Sequence, residues 1–100
     1  MVIYVDIDET ICSSIGRNYY SALPLEKNIH KINKLFDKGH TIVYWTARGT
    51  TDGNDYTLLT KSQLRKWGVK CHTILMGKPF YDLIIDDKAC TMENIDEYID

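Results

Sequence analysis

The apolar run Val2-Ile3-Tyr4-Val5 leads directly into Asp6-Ile7-Asp8-Glu9-Thr10, and this stretch is the strongest indication of the fold in the sequence. Residues 2–7 are apolar nearly throughout, which is typical of a strand buried on both faces of a sheet. Two aspartates and a threonine then follow at the end of the strand. In an open parallel α/β sheet the carboxyl ends of the strands meet at one crevice, where ligands bind. We therefore expect these polar side chains to face a binding site.

Three later apolar runs also lead into polar residues. We predict strands at about residues 40–45, 71–76 and 82–85, which precede Thr46, Lys78 and the pair Asp86-Asp87 respectively. A carboxylate that can act as a nucleophile, a hydroxyl, an ammonium group and an acidic pair would then meet at one edge of the sheet. This combination suits phosphoryl transfer.

Two segments with helical spacing separate the strands. Apolar residues recur at helical intervals over residues 25–38, and a second helix is predicted over residues 55–67; Gly39 and Gly68 follow as helix stops. A short closing helix is expected after Thr91. Alternating strands and helices indicate parallel βαβ units, so the fold class is α/β.

The composition predicts one globular domain. One hundred residues, 44% hydrophobic and 26% charged, can form one core but not two. No stretch reaches the roughly 20 apolar residues of a membrane span, and no secretory signal is evident. Cys12, Cys71 and Cys90 show no paired spacing, which favours reduced thiols and a cytoplasmic location.

Acidic residues are concentrated at the predicted site. Five of the 14 lie in two short motifs: Asp6, Asp8, Glu9, Asp86 and Asp87. Two carboxylates about 4 Å apart repel by roughly 4 kcal/mol at an effective dielectric near 20. A crevice that gathers several of them needs a cation or protonation, and a divalent metal is the simplest solution.

The four motifs, in this order and each after a strand, resemble those of the haloacid dehalogenase superfamily of phosphatases. Asp6-Ile7-Asp8-Glu9-Thr10 resembles its DxDxT motif, and Thr46, Lys78 and Asp86-Asp87 resemble the three motifs that follow. The resemblance spans essentially the whole chain. It is strongest to short bacterial members from capsule and polysaccharide biosynthesis, and it implies a Rossmann-like three-layer α/β/α sandwich without a cap domain.

The resemblance also implies a role for each motif residue. Asp6 would be the nucleophile that forms an aspartyl-phosphate, and Asp8 the general acid and base. Thr46 and Lys78 would hold the phosphoryl oxygens. Mg²⁺ would be bound by Asp6, the Asp8 backbone carbonyl and Asp86, with Asp87 as a further or water-mediated ligand. Glu9 is a departure, since the family more often has glycine there.

Residues 11–24 are predicted to form an irregular loop or flap that helps to close the site. On this flap Arg17, Tyr19 and Tyr20 are candidates for substrate recognition, with incidental exposure as the alternative. Thr10 could hold the aspartate pair by hydrogen bonding. Arg48 could contact an anionic substrate group or form a structural salt bridge.

The leading functional hypothesis is a Mg²⁺-dependent phosphatase of small phosphate monoesters, such as sugar phosphates. Alternatives are a polynucleotide end phosphatase, a phospho-accepting receiver-like domain and a non-catalytic protein with this fold. The lack of a strongly basic surface argues against a nucleic-acid partner, and a receiver would carry its acidic pair first. A homo-oligomer is expected, because without a cap a partner chain could restrict water at the site.

Overall fold

The computed structural model describes residues 1–16 and 18–99, and it has a mixed α/β architecture with a short parallel sheet at its centre. Its three strands are β1 (Val2–Val5), β4 (Thr41–Trp45) and β5 (Thr73–Leu75), arranged in the order β1-β4-β5. Val5 pairs with Tyr44, and Trp45 pairs with Leu75. The carboxyl ends of the three strands therefore lie side by side.

The helices lie where the sequence predicts them. Helix α1 (Glu26–Asp37) follows the flap, α2 (Thr57–Lys66) joins β4 to β5, and α3 (Asp96–Ile99) closes the described chain. The first two are followed by Gly39 and Gly68, which take positive φ values of 96° and 72° and so end the helices in a conformation that favours glycine.

The core is formed between these helices and the sheet. Helix α1 contributes Ile29, Ile32 and Leu35, and the sheet contributes Ile42 and Tyr44, all of them buried. No helix within residues 1–16 and 18–99 has the length and apolar character needed to cross a bilayer.

The predicted flap is a small hairpin rather than an irregular loop. Strands β2 (Cys12–Ser13) and β3 (Leu23–Pro24) pair antiparallel, and a 3₁₀ turn at Tyr19–Ser21 lies between them. The hairpin is anchored because Ile11, Cys12 and Ala22 are buried in the core. Arg17 lies outside the described residues.

The predicted fourth strand over residues 82–85 is wrong, because the structure has no strand in this segment. Leu83, Ile84 and Ile85 are exposed instead. An apolar run gains strand structure only when it pairs with a neighbour, and this segment lies outside the three-stranded sheet. Strand β1 lies at the edge of the sheet, and its Val2 and Tyr4 side chains are exposed. The prediction that this strand is buried on both faces is therefore wrong.

Candidate active site

The ends of β4 and β5 bring Thr46 and Lys78 together. The backbone N–H of Thr46 donates to the carbonyl of Leu75 at 3.0 Å, and the N–H of Lys78 donates to the carbonyl of Thr46 at 3.0 Å. The sheet's hydrogen bonding thus continues past the last paired residues of both strands. Thr50 fixes the same segment, since its hydroxyl donates to the Lys78 carbonyl at 2.7 Å.

The Lys78 ammonium group reaches the end of β1. Its Nζ lies 3.5 Å from Oδ1 of Asp6, and the Lys78 side chain is only 11% exposed. It also lies over the rings of Trp45 and Tyr81, at 5.7 and 5.2 Å from their centroids. These contacts fix a cation next to the predicted nucleophile.

Burial raises the pKa of Asp6 above the ordinary aspartate value of 3.8, while the charge of Lys78 opposes this shift. Asp8 adds a small further upward contribution through charge repulsion. The Asp6 carboxylate is thus held partly out of water, with one ammonium group to compensate its charge.

A tight turn carries Asp8 over the end of the sheet. The N–H groups of Thr10 and Ile11 both donate to the Ile7 carbonyl, at 3.1 and 2.9 Å, and the N–H of Glu9 donates to Cys12. Ile7 and Ile11 are fully buried and anchor both sides of the turn. Glu9 adopts φ 62°, the left-handed conformation that glycine takes most readily, so a residue with a Cβ occupies this position at a steric cost.

Asp8 forms a bidentate ion pair with Arg48. Nε of Arg48 donates to Oδ2 at 2.9 Å and Nη2 donates to Oδ1 at 2.9 Å. The Arg48 side chain is fully buried, whereas that of Asp8 is 25% exposed. Of the two interpretations of Arg48, the structure favours the structural salt bridge over a direct substrate contact.

Two further predicted site residues, Thr46 and Thr10, form hydrogen bonds within the protein. Thr46 is buried, and its hydroxyl accepts a hydrogen bond from the N–H of Arg48 at 3.1 Å. Thr10 closes the turn through its backbone, and its carbonyl accepts from Asn28 at 2.8 Å. Within residues 1–16 and 18–99, no hydrogen bond joins the Thr10 hydroxyl to Asp6 or Asp8, so the hydroxyl does not hold the aspartate pair in this arrangement.

The acidic pair Asp86-Asp87 is exposed and does not join the other carboxylates. Oδ1 of Asp86 accepts from the N–H of Lys88 at 2.8 Å, as in a local turn. Among the described residues there is no group of three or more acidic, histidine or cysteine side chains that could hold a metal. The described residues therefore do not gather Asp86 and Asp87 with Asp6 and Asp8, and the segment that carries the pair is not part of the sheet.

An open cavity of about 450 Å³ lies over Asp6 and Asp8. Tyr19 from the flap and the aromatic residues Phe80 and Tyr81 contribute to its walls. Tyr20, in contrast, is exposed and contacts Tyr56 edge-on at a centroid distance of 6.4 Å. Of the flap candidates that the structure describes, Tyr19 lies at the cavity.

The sequence alone assigns no site role to Cys12, Thr60 or Gln63. The Cys12 thiol donates to Oδ1 of Asp8 at 3.4 Å, and Nη1 of Arg48 donates to Thr60 and Gln63 at 3.2 and 2.6 Å. Thr60 and Gln63 lie three residues apart next to buried Leu64. Thr60 and Gln63 are polar residues on the buried face of α2, and this placement is the sequence signal that could have marked them as buried hydrogen-bonding residues.

The comparisons with known proteins support the fold without assigning a function. No family model and no curated protein matches the chain. The crystal structure of a target protein from Vibrio cholerae is similar, with a TM-score of 0.84 and 28% sequence identity over 95% of this chain and 87% of that one.

Proposed function

We propose that this chain is a phosphatase of the capless haloacid dehalogenase type, which hydrolyses a small phosphate monoester through a phosphorylated Asp6. The observation that carries the proposal is the pair of Asp6 and Lys78, 3.5 Å apart beside a cavity that Asp8 also lines. The order of the sequence motifs supports it. The α/β/α layering of that superfamily belongs to the same proposal, and the segment 82–85, which lies outside the sheet, is its main departure.

In the first step a carboxylate oxygen of Asp6 attacks phosphorus, and the bond between phosphorus and the ester oxygen breaks. The leaving oxygen takes a proton from Asp8 and departs as an alcohol. The positive charge of Lys78, already held against Asp6, compensates the charge on the phosphoryl oxygens.

In the second step water attacks the phosphorus of the aspartyl-phosphate. Asp8, now ionised, accepts a proton from this water, and the bond between phosphorus and the Asp6 oxygen breaks. Inorganic phosphate leaves, and Asp6 and Asp8 return to their initial protonation states. The sum is one ester and one water converted into one alcohol and one phosphate.

The described arrangement does not fit the magnesium site that the sequence predicts. Oδ1 of Asp6 is paired with Lys78, and Asp86, the other predicted carboxylate ligand, is exposed and engaged in its own turn. In the described arrangement the side chains of Lys78 and Arg48 supply the positive charge that the carboxylates of Asp6 and Asp8 need. Magnesium dependence therefore rests on the sequence resemblance alone.

The cavity suits a small substrate with an apolar face. Its volume of about 450 Å³ lies within the range of small-molecule sites. Aromatic rings such as those of Tyr19 and Tyr81 pack against the C–H face of a sugar ring. A sugar phosphate or a related intermediate of polysaccharide biosynthesis is therefore the substrate class that we propose.

A homo-oligomer belongs to the same proposal. Leu83, Ile84 and Ile85 are exposed in succession, and Phe80 is exposed beside the cavity. An apolar surface of this kind is typical of a protein–protein contact. Light scattering coupled to gel filtration measures the mass of the particle, and a monomer at assay concentrations would contradict this part of the proposal.

The test is phosphate release from a panel of phosphate esters, comparing the wild type with Asp6→Asn. We expect the variant to fold as the wild type does and to release no phosphate above background. Asp96→Asn is the matched control, because Asp96 lies on α3 in an exposed ion pair with Lys31. Turnover by Asp6→Asn equal to that of the control would refute the function.

A further inference from the structure

We propose that Arg48 is the positioning residue for Asp8, so that its guanidinium group sets the direction from which Asp8 delivers and accepts the proton. This inference rests on the proposed function, since it assigns a cause to the geometry of the acid–base residue. Of the two sequence-based alternatives for Arg48, it develops the structural salt bridge and not the substrate contact.

The ion pair fixes the plane of the Asp8 carboxylate. Both oxygens of Asp8 accept from the same guanidinium group, each at 2.9 Å. A planar fork that donates to both oxygens defines an orientation, whereas a single ammonium contact would leave the carboxylate free to rotate.

Arg48 is itself held by other elements. Nη1 donates to Thr60 and Gln63, and Nη2 donates to the Cys12 sulfur at 3.7 Å in addition to Asp8. Arginine has five N–H donors, and these contacts use all five. No donor is left for a substrate phosphate, so the side chain acts through Asp8.

The anchoring residues come from buried positions in α2. Thr60 is fully buried and Gln63 is 8% exposed. Gln63 also ties the flap to this centre, because its Nε2 donates to the Tyr19 carbonyl, and the Tyr19 ring lies 4.9 Å from the guanidinium carbon. Helix α2 and the flap thus together set where Arg48 points.

The contacts on Asp8 are unequal between its two oxygens. Among the residues that the structure describes, Oδ1 accepts from Arg48 and from the Cys12 thiol, whereas Oδ2 accepts from Nε of Arg48 alone. Oδ2 therefore retains more acceptor capacity. We assign it as the oxygen that carries the transferable proton.

The dependence of kcat/KM on the leaving group distinguishes a residue that positions Asp8 from one that only stabilises the fold. An alkyl phosphate needs a proton on its leaving oxygen, whereas p-nitrophenyl phosphate has a leaving group that departs without one. A residue that positions the acid affects kcat/KM for the first substrate far more than for the second. A residue that only stabilises the fold lowers both to the same extent.

The experiment measures kcat/KM for both substrates in the wild type, Arg48→Lys and Asp8→Asn. Lysine keeps the charge but loses the fork. We expect both variants to lose kcat/KM for the alkyl ester by on the order of 10²-fold and to change far less with the aryl ester. Arg65→Lys is the control, since Arg65 is an exposed arginine of α2, and we expect it to match the wild type with both substrates.

Gln63→Met tests the same idea if Arg48→Lys does not fold, because it removes one anchor of Arg48 while keeping the side-chain length. We expect Gln63→Met to lower kcat/KM for the alkyl ester more than for the aryl ester, but by a smaller factor than Arg48→Lys does. Equal losses for the two esters in the folded Arg48 and Gln63 variants would overturn the inference. That outcome is distinct from failure of the proposed function, which would appear as turnover by Asp6→Asn.

Discussion

The ammonium group of Lys78 lies 3.5 Å from the carboxylate of Asp6, in a side chain that is almost completely buried. The two residues follow different strands, and β4 lies between those strands in the sheet. The contact arises because the hydrogen-bond ladder extends beyond β4 and β5 and turns Lys78 back toward β1. A charge placed in this way controls both the ionisation of Asp6 and the charge of any anion bound beside it.

Replacing Lys78 by Met shifts the acid side of the pH profile upward. Burial raises the pKa of Asp6, Lys78 lowers it, and loss of Lys78 leaves the effect of burial uncompensated. Because the nucleophile must be ionised, activity is lost as the pH falls through this pKa. We expect the acid limb of kcat/KM to lie above the ordinary aspartate value in the wild type and higher still in Lys78→Met.

Lys78→Arg is the control for that measurement because it keeps the positive charge. Its acid limb should stay close to that of the wild type, even if its rate is lower. An acid limb that is the same in Lys78→Met and Lys78→Arg would contradict the assigned coupling between the two residues.

Cys12 is expected to resist alkylation in the native protein. Burial and the neighbouring Asp8 raise the pKa of its thiol to about 12, so hardly any thiolate is present at pH 8. Cys90 is exposed. Mass spectrometry after brief iodoacetamide treatment should show alkylation of Cys90 before Cys12, and denaturation should remove the difference. Rapid native labelling of Cys12 would show that the hairpin opens.

Glycine at position 9 should be better tolerated than alanine. Glu9 has φ 62°, a conformation that costs a residue with a Cβ roughly 1 kcal/mol or more. Within residues 1–16 and 18–99, the carboxylate of Glu9 makes only long hydrogen bonds, at 3.4 Å, with Ser13 and Ser14. We expect Glu9→Gly to exceed Glu9→Ala in free energy of unfolding by about 1 kcal/mol, measured by urea denaturation. The reverse order would argue against the left-handed turn.

Magnesium should bind the free protein weakly in the arrangement described. Lys78 engages Oδ1 of Asp6, and Asp86 is exposed and held in its own turn, so a metal would have to rearrange both carboxylates. Calorimetric titration with millimolar Mg²⁺ should therefore show no saturable binding, and Asp86→Asn should behave as the wild type does. Saturable binding that Asp86→Asn abolishes would instead support the metal site that the sequence predicts.

The periodic parts of the fold were predictable from the sequence. The helical spacing of residues 25–38 predicts α1 to within one residue at each end, and apolar runs predict all three strands of the sheet. The run at residues 82–85 has the same character, yet it forms no strand. A local pattern reports which faces are apolar but not whether a pairing partner is within reach.

The sequence predicts the contacts of the site that follow from the positions of the strand ends. It does not predict the contacts that depend on how individual side chains are oriented. The order of the strands is enough to bring Asp6 near Lys78. The bond from Arg48 to Asp8 depends on the turn that follows β1 and on Thr60 and Gln63 of α2, and these are separate segments of the chain. Nothing in the spacing of these residues defines their contacts.

The central claim is that Asp6 becomes phosphorylated during turnover. The most direct measurement is mass spectrometry of peptides after the enzyme is mixed with substrate and quenched in acid, with Asp8→Asn included because loss of the base slows hydrolysis of the intermediate. We expect a phosphoryl group on the peptide that contains Asp6, and none in Asp6→Asn. A phosphoryl group on another residue, or phosphate release with Asp6 unmodified throughout, would contradict it.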